Sequence, residues 1–124
     1  MAFKSIRDLR KSDGGSRYSL DNIYYKTSDY SGNKRCLIII PMPIAKKAGI
    51  EPGTLVDIEY DNELHQCRIS LATEKQCPGV HYHGKHKRHV KIEFKLYDNW
   101  LPRKDNGIYI KEYNISKGIG FKLS

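Results

Sequence analysis

The chain has 124 residues, with 22 Lys and Arg against 14 Asp and Glu, a formal net charge of +8 and a pI near 9.4. That length suits one domain with a modest core, and the charge balance favours a polyanionic partner over a neutral or cationic one. No apolar run is long enough to cross a bilayer, Met1-Ala2-Phe3-Lys4 lacks the core of a signal peptide, and Cys36, Cys67 and Cys77 share no close-pair spacing; these features predict a cytoplasmic protein with reduced thiols and no membrane partner.

Residues 1–17 are polar and end in Asp13-Gly14-Gly15-Ser16, which predicts a flexible basic arm. Phe3, Ile6 and Leu9 recur at helical spacing, so Ser5 to Lys11 has the pattern of one or two amphipathic turns. Asn22 to Thr27 has strand composition. Cys36 to Ile40 is apolar and β-branched, which predicts a buried strand ended by Pro41. Pro43 suits the first turn of a short helix through Ile44 to Ala48, and Gly49 followed by Ile50 is a helix-ending pair. Glu51-Pro52-Gly53-Thr54 is a turn, and Leu55–Tyr60 with Gln66–Leu71 form a hairpin around Asp61 to His65.

This order of strand, proline, short helix, Gly-Ile-x-Pro-Gly turn and hairpin resembles the AbrB, MazE and SpoVT family of swapped-hairpin transcription factors. The residues that carry the resemblance are Leu37 to Pro41, Ile44 to Ile50, Pro52-Gly53 and Val56 to Tyr60. The resemblance implies interleaved hairpins in one β-barrel, a basic face for duplex DNA, and a prokaryotic or phage source. Members of the family commonly carry a basic residue directly after the proline and a Gly-Arg pair shortly before it. Here Met42 follows Pro41, and Asn33-Lys34 separates Gly32 from Arg35, so the usual contact pattern is displaced.

A second copy of the module follows. Lys34-Arg35-Cys36-Leu37-Ile38-Ile39 aligns with Lys87-Arg88-His89-Val90-Lys91-Ile92, and Glu59-Tyr60-Asp61 with Glu112-Tyr113-Asn114, both 53 positions apart (34 to 87). Val90 to Leu96 alternates as a half-buried strand, Tyr97 to Leu101 fills the helix slot with Trp100 as a core plug, and Ile108–Tyr113 with Ile119–Leu123 form a final hairpin around Asn114 to Gly118. The expected organisation is a first module at 18–76, a His- and Lys-rich linker at 77–89 and a divergent second module at 90–124, with 18–124 one compact domain. The expected fold is mainly β with one or two short helices, a swapped-hairpin barrel built twice in one chain, acting as a monomeric pseudo-dimer or as a homodimer.

Lys34-Arg35 and Lys87-Arg88 precede equivalent strands, so a pseudo-twofold presents them as a matched pair to double-stranded DNA. Lys46, Lys47, Lys85, Arg103 and Lys104 extend the candidate nucleic-acid-binding set. Tyr18, Tyr24, Tyr25 and Tyr30 have the chemistry to stack unpaired bases or to pack as half-buried strand residues. Cys77, His81, His83 and His86 supply zinc-type ligand atoms, but without paired-cysteine spacing and beside Lys85, Lys87 and Arg88, which repel a dication, so no metal is assigned. No nucleophile elbow, phosphate-binding glycine loop or metal-protease signature occurs, and the chain is read as a non-enzyme without a cofactor. The expected function is DNA binding by a transcriptional regulator. The alternative is a protein-interaction module, antitoxin-like or a virus-encoded inhibitor, docking on an acidic host protein or a nucleic-acid enzyme.

Overall fold

A computed structural model describes residues 18–97 and 100–123. The N-terminal arm, residues 1–17, lies outside them. β1 (Ile23–Tyr30) turns directly into β2 (Asn33–Pro41). Ser31 and Gly32 take φ of 54° and 81°, the pair of positive values a tight type I′ hairpin requires, and Tyr30 faces Asn33 across it. Pro41 ends β2, and α1 (Met42–Lys47) follows with a proline in its first turn. The Ile50 N–H donates to the Ala45 carbonyl at 2.8 Å and the Gly49 N–H to the Lys46 carbonyl at 3.1 Å. With Gly49 at φ 74°, this is the paired hydrogen-bonding of a Schellman helix end. β3 (Leu55–Asp61) and β4 (Gln66–Ala72) then form the expected hairpin.

The second half departs from expectation. The 77–89 segment read as a linker contains a strand, β5 (Val80–His83), paired to β6 (His89–Lys95). No helix fills the Tyr97–Leu101 slot among its described residues, and Trp100 is 42 % exposed while its neighbour Leu101 is 3 % exposed; Leu101, not Trp100, is the plug. The expected strand Ile108–Tyr113 is broken at Lys111-Glu112 into β7 (Ile108–Ile110) and β8 (Tyr113–Ser116), which lie in different sheets. β9 (Gly118–Lys122) returns from β8 with only Lys117 between the paired Ser116 and Gly118, in place of a long loop.

Two sheets result, a five-stranded one in the order β5-β6-β2-β1-β7 and a four-stranded one in the order β3-β4-β9-β8. They do not close into a barrel. Among the described residues, Leu55 opposite Gly79 bridges the sheets, with the Val80 N–H donating to the Thr54 carbonyl at 2.9 Å and the Val56 N–H to the Pro78 carbonyl at 3.0 Å, and the chain leaves the ladder where it crosses at Lys111-Glu112. Apolar alternation buries Ile38, Ile40, Ile92, Ile23 and Tyr25 of the larger sheet with Val56, Cys67, Ile69, Ile119 and Phe121 of the smaller. Ile44 and Ala45 of α1 join that core at one end, and Leu96 and Leu101 join it from the segment after β6.

The ladders between the halves give the registration that the sequence repeat misses. β2 faces β6 with Ile38 opposite Ile92, and β4 faces β9 with Cys67 opposite Phe121, in each case 54 positions apart (38 to 92, 67 to 121). The 53-position alignment matches buried Ile38 to Lys91, whereas 54 matches Cys36, Ile38 and Ile40 to Val90, Ile92 and Phe94, inward-facing in both strands. A one-residue slip exchanges the two faces of a strand. Tyr60 opposite Cys67 and Tyr113 opposite Phe121 keep the 53-position match, so the two hairpins differ by one residue in their turns.

Truncating Ile92 removes a fully buried side chain from the centre of the β2–β6 ladder. Ile92→Ala is expected to cost about 2–5 kcal/mol in urea unfolding, and a loss below about 1 kcal/mol contradicts this placement.

Candidate nucleic-acid interface

Residues directly opposite in a ladder share a face, and alternate residues along a strand share it too. On the outer face of the five-stranded sheet this gives one row running His81, Lys91, Ile39, Tyr24, Tyr109 across all five strands. The next row holds Glu93, Leu37 and Lys26, and the one beyond it Lys95, Arg35 and Ser28. Lys26, Arg35, Lys91 and Lys95 thus share a surface on which Glu93 is the carboxylate. The outer face of the four-stranded sheet is more evenly charged: β3 presents Asp57, Glu59 and Asp61, opposed by Ser70, Arg68 and Gln66 of β4, with Lys122 of β9 beyond Gln66.

The nine candidate cations fall into two clusters at opposite ends of the β2–β6 ladder. Arg35 faces Lys95 at one end and Pro41 faces His89 at the other, six residues away, or about 20 Å at roughly 3.4 Å per residue. Lys34 and Arg35 lie at the first end. Arg103 and Lys104 join them, because Thr27, two positions along β1 from Tyr25, exchanges backbone and side-chain hydrogen bonds with Lys104. Lys85, Lys87 and Arg88 lie at the second end in the β5–β6 turn. The Met42 N–H donates to the Arg88 carbonyl at 2.9 Å, which sets α1 and its last-turn Lys46 and Lys47 beside that turn. The expected equivalence of Lys34-Arg35 with Lys87-Arg88 is displaced by one: at 54 positions, Lys34 corresponds to Arg88 and Arg35 to His89.

Arg35 and Arg103 form ion pairs, and Lys87 Nζ stands 4.9 Å over the Tyr82 ring. Arg35 Nη2 lies 3.2 Å from Glu93 Oε1 across the ladder, an exposed pair worth about 0–1 kcal/mol and open to exchange for phosphate. Arg103 Nη2 lies 2.7 Å from Asp105 Oδ2. Asp105 also accepts from the buried Thr27 hydroxyl at 2.7 Å, and these two hydrogen bonds, Arg103 first, hold its carboxyl below the usual range. Arg103 therefore shapes the loop before β7.

Sequence reasoning named Tyr18 and Tyr24 as candidate stacking residues but missed Tyr109, His83 and the chain they form on the same face. The ring centroids of Tyr18 and Tyr24 are 4.9 Å apart, those of Tyr24 and Tyr109 5.1 Å, and His83 and His89 stand edge-on to Tyr18 at 5.1 and 6.1 Å. Tyr24 leans over Gly107, where a Cβ would meet its ring and hydroxyl well inside van der Waals contact. His89 is buried, and its Nε2–H donates to the Ser19 carbonyl at 2.7 Å, which ties residues 18–22 to the sheet. Burial, then Lys91 and His89, push the His83 imidazole below its ordinary pKa, so it stands neutral at pH 7. Tyr25 and Tyr30 take no part: Tyr25 is buried and donates its hydroxyl to the Pro102 carbonyl at 2.7 Å, and Tyr30 ends β1. The Lys91 and Lys95 signal was present in the period-two alternation of β6; Tyr109 required the pairing of β7 with β1.

The metal-type residues are not assembled. Cys77 lies beside Glu74, its Sγ 3.9 Å from Oε2, while His81 and His83 are on β5 and His86 is in the turn after it. Among the described residues no three His, Cys, Asp or Glu side chains group closely enough to hold a metal ion. Burial pushes both the Cys36 and Cys67 thiols up to about 12, and both face the core. Among the described residues no helix is long and apolar enough to cross a membrane. No known family model, curated protein or solved structure matches the chain.

Two outcomes follow. Gly107→Ala displaces the Tyr24 ring and strains a residue at φ 76°; it is expected to lower stability by about 1–3 kcal/mol and to change the near-ultraviolet tyrosine circular dichroism, and an unchanged spectrum contradicts the contact. In an NMR titration His83 should protonate at lower pH than a free histidine. The unfolded chain then takes up that proton first, so this contribution to stability falls as pH drops through the free-histidine pKa; a His83 titrating above it contradicts the burial.

Proposed function

We propose that this protein binds DNA through the outer face of its five-stranded sheet, neutralising backbone phosphates with the two end clusters and with Lys26, Lys91 and Lys95 between them. The observation that carries the reading is the uneven distribution of charge: Lys26, Arg35, Lys91 and Lys95 share the outer face of one sheet with Glu93 and have further cations at its ends, whereas on the outer face of the other Asp57, Glu59 and Asp61 are largely offset by Arg68 and Lys122. A polyanion approaching the molecule is drawn more strongly to the first face than to the second. Clusters about 20 Å apart span roughly half the helical repeat of a duplex, so each can engage a different stretch of backbone.

The swapped-hairpin reading belongs to the same proposal. Two hairpin-containing halves that pair with each other across both sheets, β2 with β6 and β4 with β9, support a chain built twice. In that reading the single chain supplies what two chains supply in the AbrB-like family, and the biological role is transcriptional regulation. Five strands at roughly 4.8 Å are wider than the roughly 12 Å major groove. Contact with an intact duplex is therefore to the backbone, with little readout of base edges. The same breadth favours the second reading, a flat basic surface docked on an acidic host protein.

The test is duplex binding by fluorescence anisotropy across a salt series, with variants at each end and on the opposite sheet. Arg88→Glu and Arg35→Glu are each expected to weaken binding about tenfold and to lower the salt slope by about one, while Arg68→Glu, on the four-stranded sheet, leaves binding largely intact. Equal losses from all three, or a complex indifferent to salt, contradict the proposal; the latter points to the acidic-protein reading.

A further inference from the structure

The ladders of the five-stranded sheet have two-fold geometry, but the chemistry of its outer face does not. At the 54-position offset Arg35 is matched by His89 and Pro41 by Lys95. The equivalent β1–β2 and β5–β6 ladders match Tyr24 to Gly79 and Lys26 to His81. Along the strands themselves, cations thus gather towards the Arg35–Lys95 end and aromatic rings towards the other, where the turn cations lie beyond them. A surface built only to meet the symmetric backbone of a duplex has no use for that difference. A strand of one polarity, with phosphate on one side and bases on the other, does.

We propose that the rings of His83, Tyr18, Tyr24 and Tyr109 form a stacking track for the unpaired bases of single-stranded nucleic acid, with Lys91 and Lys26 holding its phosphates. This rests on the nucleic-acid reading above and names the form of ligand that the face takes. The track runs from His83 on β5 to Tyr109 on β7 in three ring-to-ring steps of 5.1, 4.9 and 5.1 Å. Each ring is held by the next: Tyr18 against His83 and Tyr24, and Tyr24 against Tyr109. Tyr109 is 43 % exposed and ends the track on the edge strand β7, its ring braced by Tyr24. Lys91 lies in the same row as Tyr24 and Tyr109, and Lys26 one row below. A cationic sheet with aromatic side chains standing on it binds single strands with little sequence preference, because every base has a π-face. In a paired duplex those faces are stacked away, and a sheet wider than the groove cannot reach them.

The experiment compares three ligands by anisotropy at one salt concentration: an oligothymidine, an abasic oligomer with the same number of phosphates, and a short duplex. Tighter binding of oligothymidine than of the abasic strand is expected. Tyr109→Ala should weaken oligothymidine about tenfold and leave the abasic strand and duplex within about twofold, with Tyr109→Phe, which keeps the ring, restoring wild-type affinity. Circular dichroism of Tyr109→Ala checks that the variant is folded. If abasic strand and thymidine bind alike, or Tyr109→Ala weakens all three ligands equally, the track is overturned while the phosphate-binding reading stands. If none of the three binds at low salt, both fall.

Discussion

The ladder between β2 and β6 is the constraint on which the rest of the molecule depends. Seven residue pairs, from Arg35–Lys95 to Pro41–His89, join the two halves of the chain across the centre of the larger sheet. Ile38 and Ile92 face each other at its midpoint, both fully buried. That pairing fixes which residues of either strand point into the core and which point out, since a slip of one exchanges the faces. It places Lys91, Lys95 and Arg35 on one surface and sets the two cationic ends about 20 Å apart. The β4–β9 ladder repeats the arrangement in the smaller sheet, where Cys67 faces Phe121, so the core is closed by contacts of long sequence separation on both sides. Such a topology is expected to fold slowly for its size.

On this frame the surface carries its charge unevenly. The outer side of β3 carries Asp57, Glu59 and Asp61, while the outer sides of β1, β2 and β6 carry Lys26, Arg35, Lys91 and Lys95. The unevenness gives the molecule an electrostatic direction in addition to its net charge of +8. Association with a polyanion is then steered towards one face, and salt weakens it by screening and by competing for phosphate. The exposed Arg35–Glu93 pair is a weak internal competitor for the same guanidinium.

Much of the fold was legible in the sequence wherever local chemistry decides structure. Pro41, Pro43, Gly49, Ile50, Pro52 and Gly53 specify the end of β2, the start and stop of α1 and the turn into β3, each through a backbone constraint carried by one or two residues. The alternation in Val90 to Leu96 specifies β6. What was not legible depended on pairing between distant segments. Val80–His83 reads as a polar linker because its inward Val80 is followed by solvent-facing His81 and Tyr82, and only β6 alongside makes it a strand. Ile108–Tyr113 reads as one strand because nothing local marks the crossing at Lys111-Glu112 from one sheet to the other. The repeat was visible, but its 53-position alignment followed the Lys-Arg identities and not the faces, and so stood one residue from the structural registration.

The candidate site divides in the same way. The pairs Lys34-Arg35, Lys46-Lys47, Lys87-Arg88 and Arg103-Lys104 were found from charge runs, because chain neighbours stay near one another in any fold; which pairs would share an end of the sheet was not. Nor was the face between the two ends, because Lys26, Lys91 and Tyr109 come from three strands and meet only once β1, β6 and β7 share a sheet. The most direct test of the account is therefore a map of that face: backbone-amide chemical-shift changes in the NMR spectrum as a short duplex is titrated in. Shifts concentrated at Lys26, Arg35, Lys91, Lys95 and the 85–88 turn are the predicted result. Shifts concentrated at Asp57, Glu59, Arg68 and Asn114 on the opposite sheet, or no shifts at low salt, would contradict it.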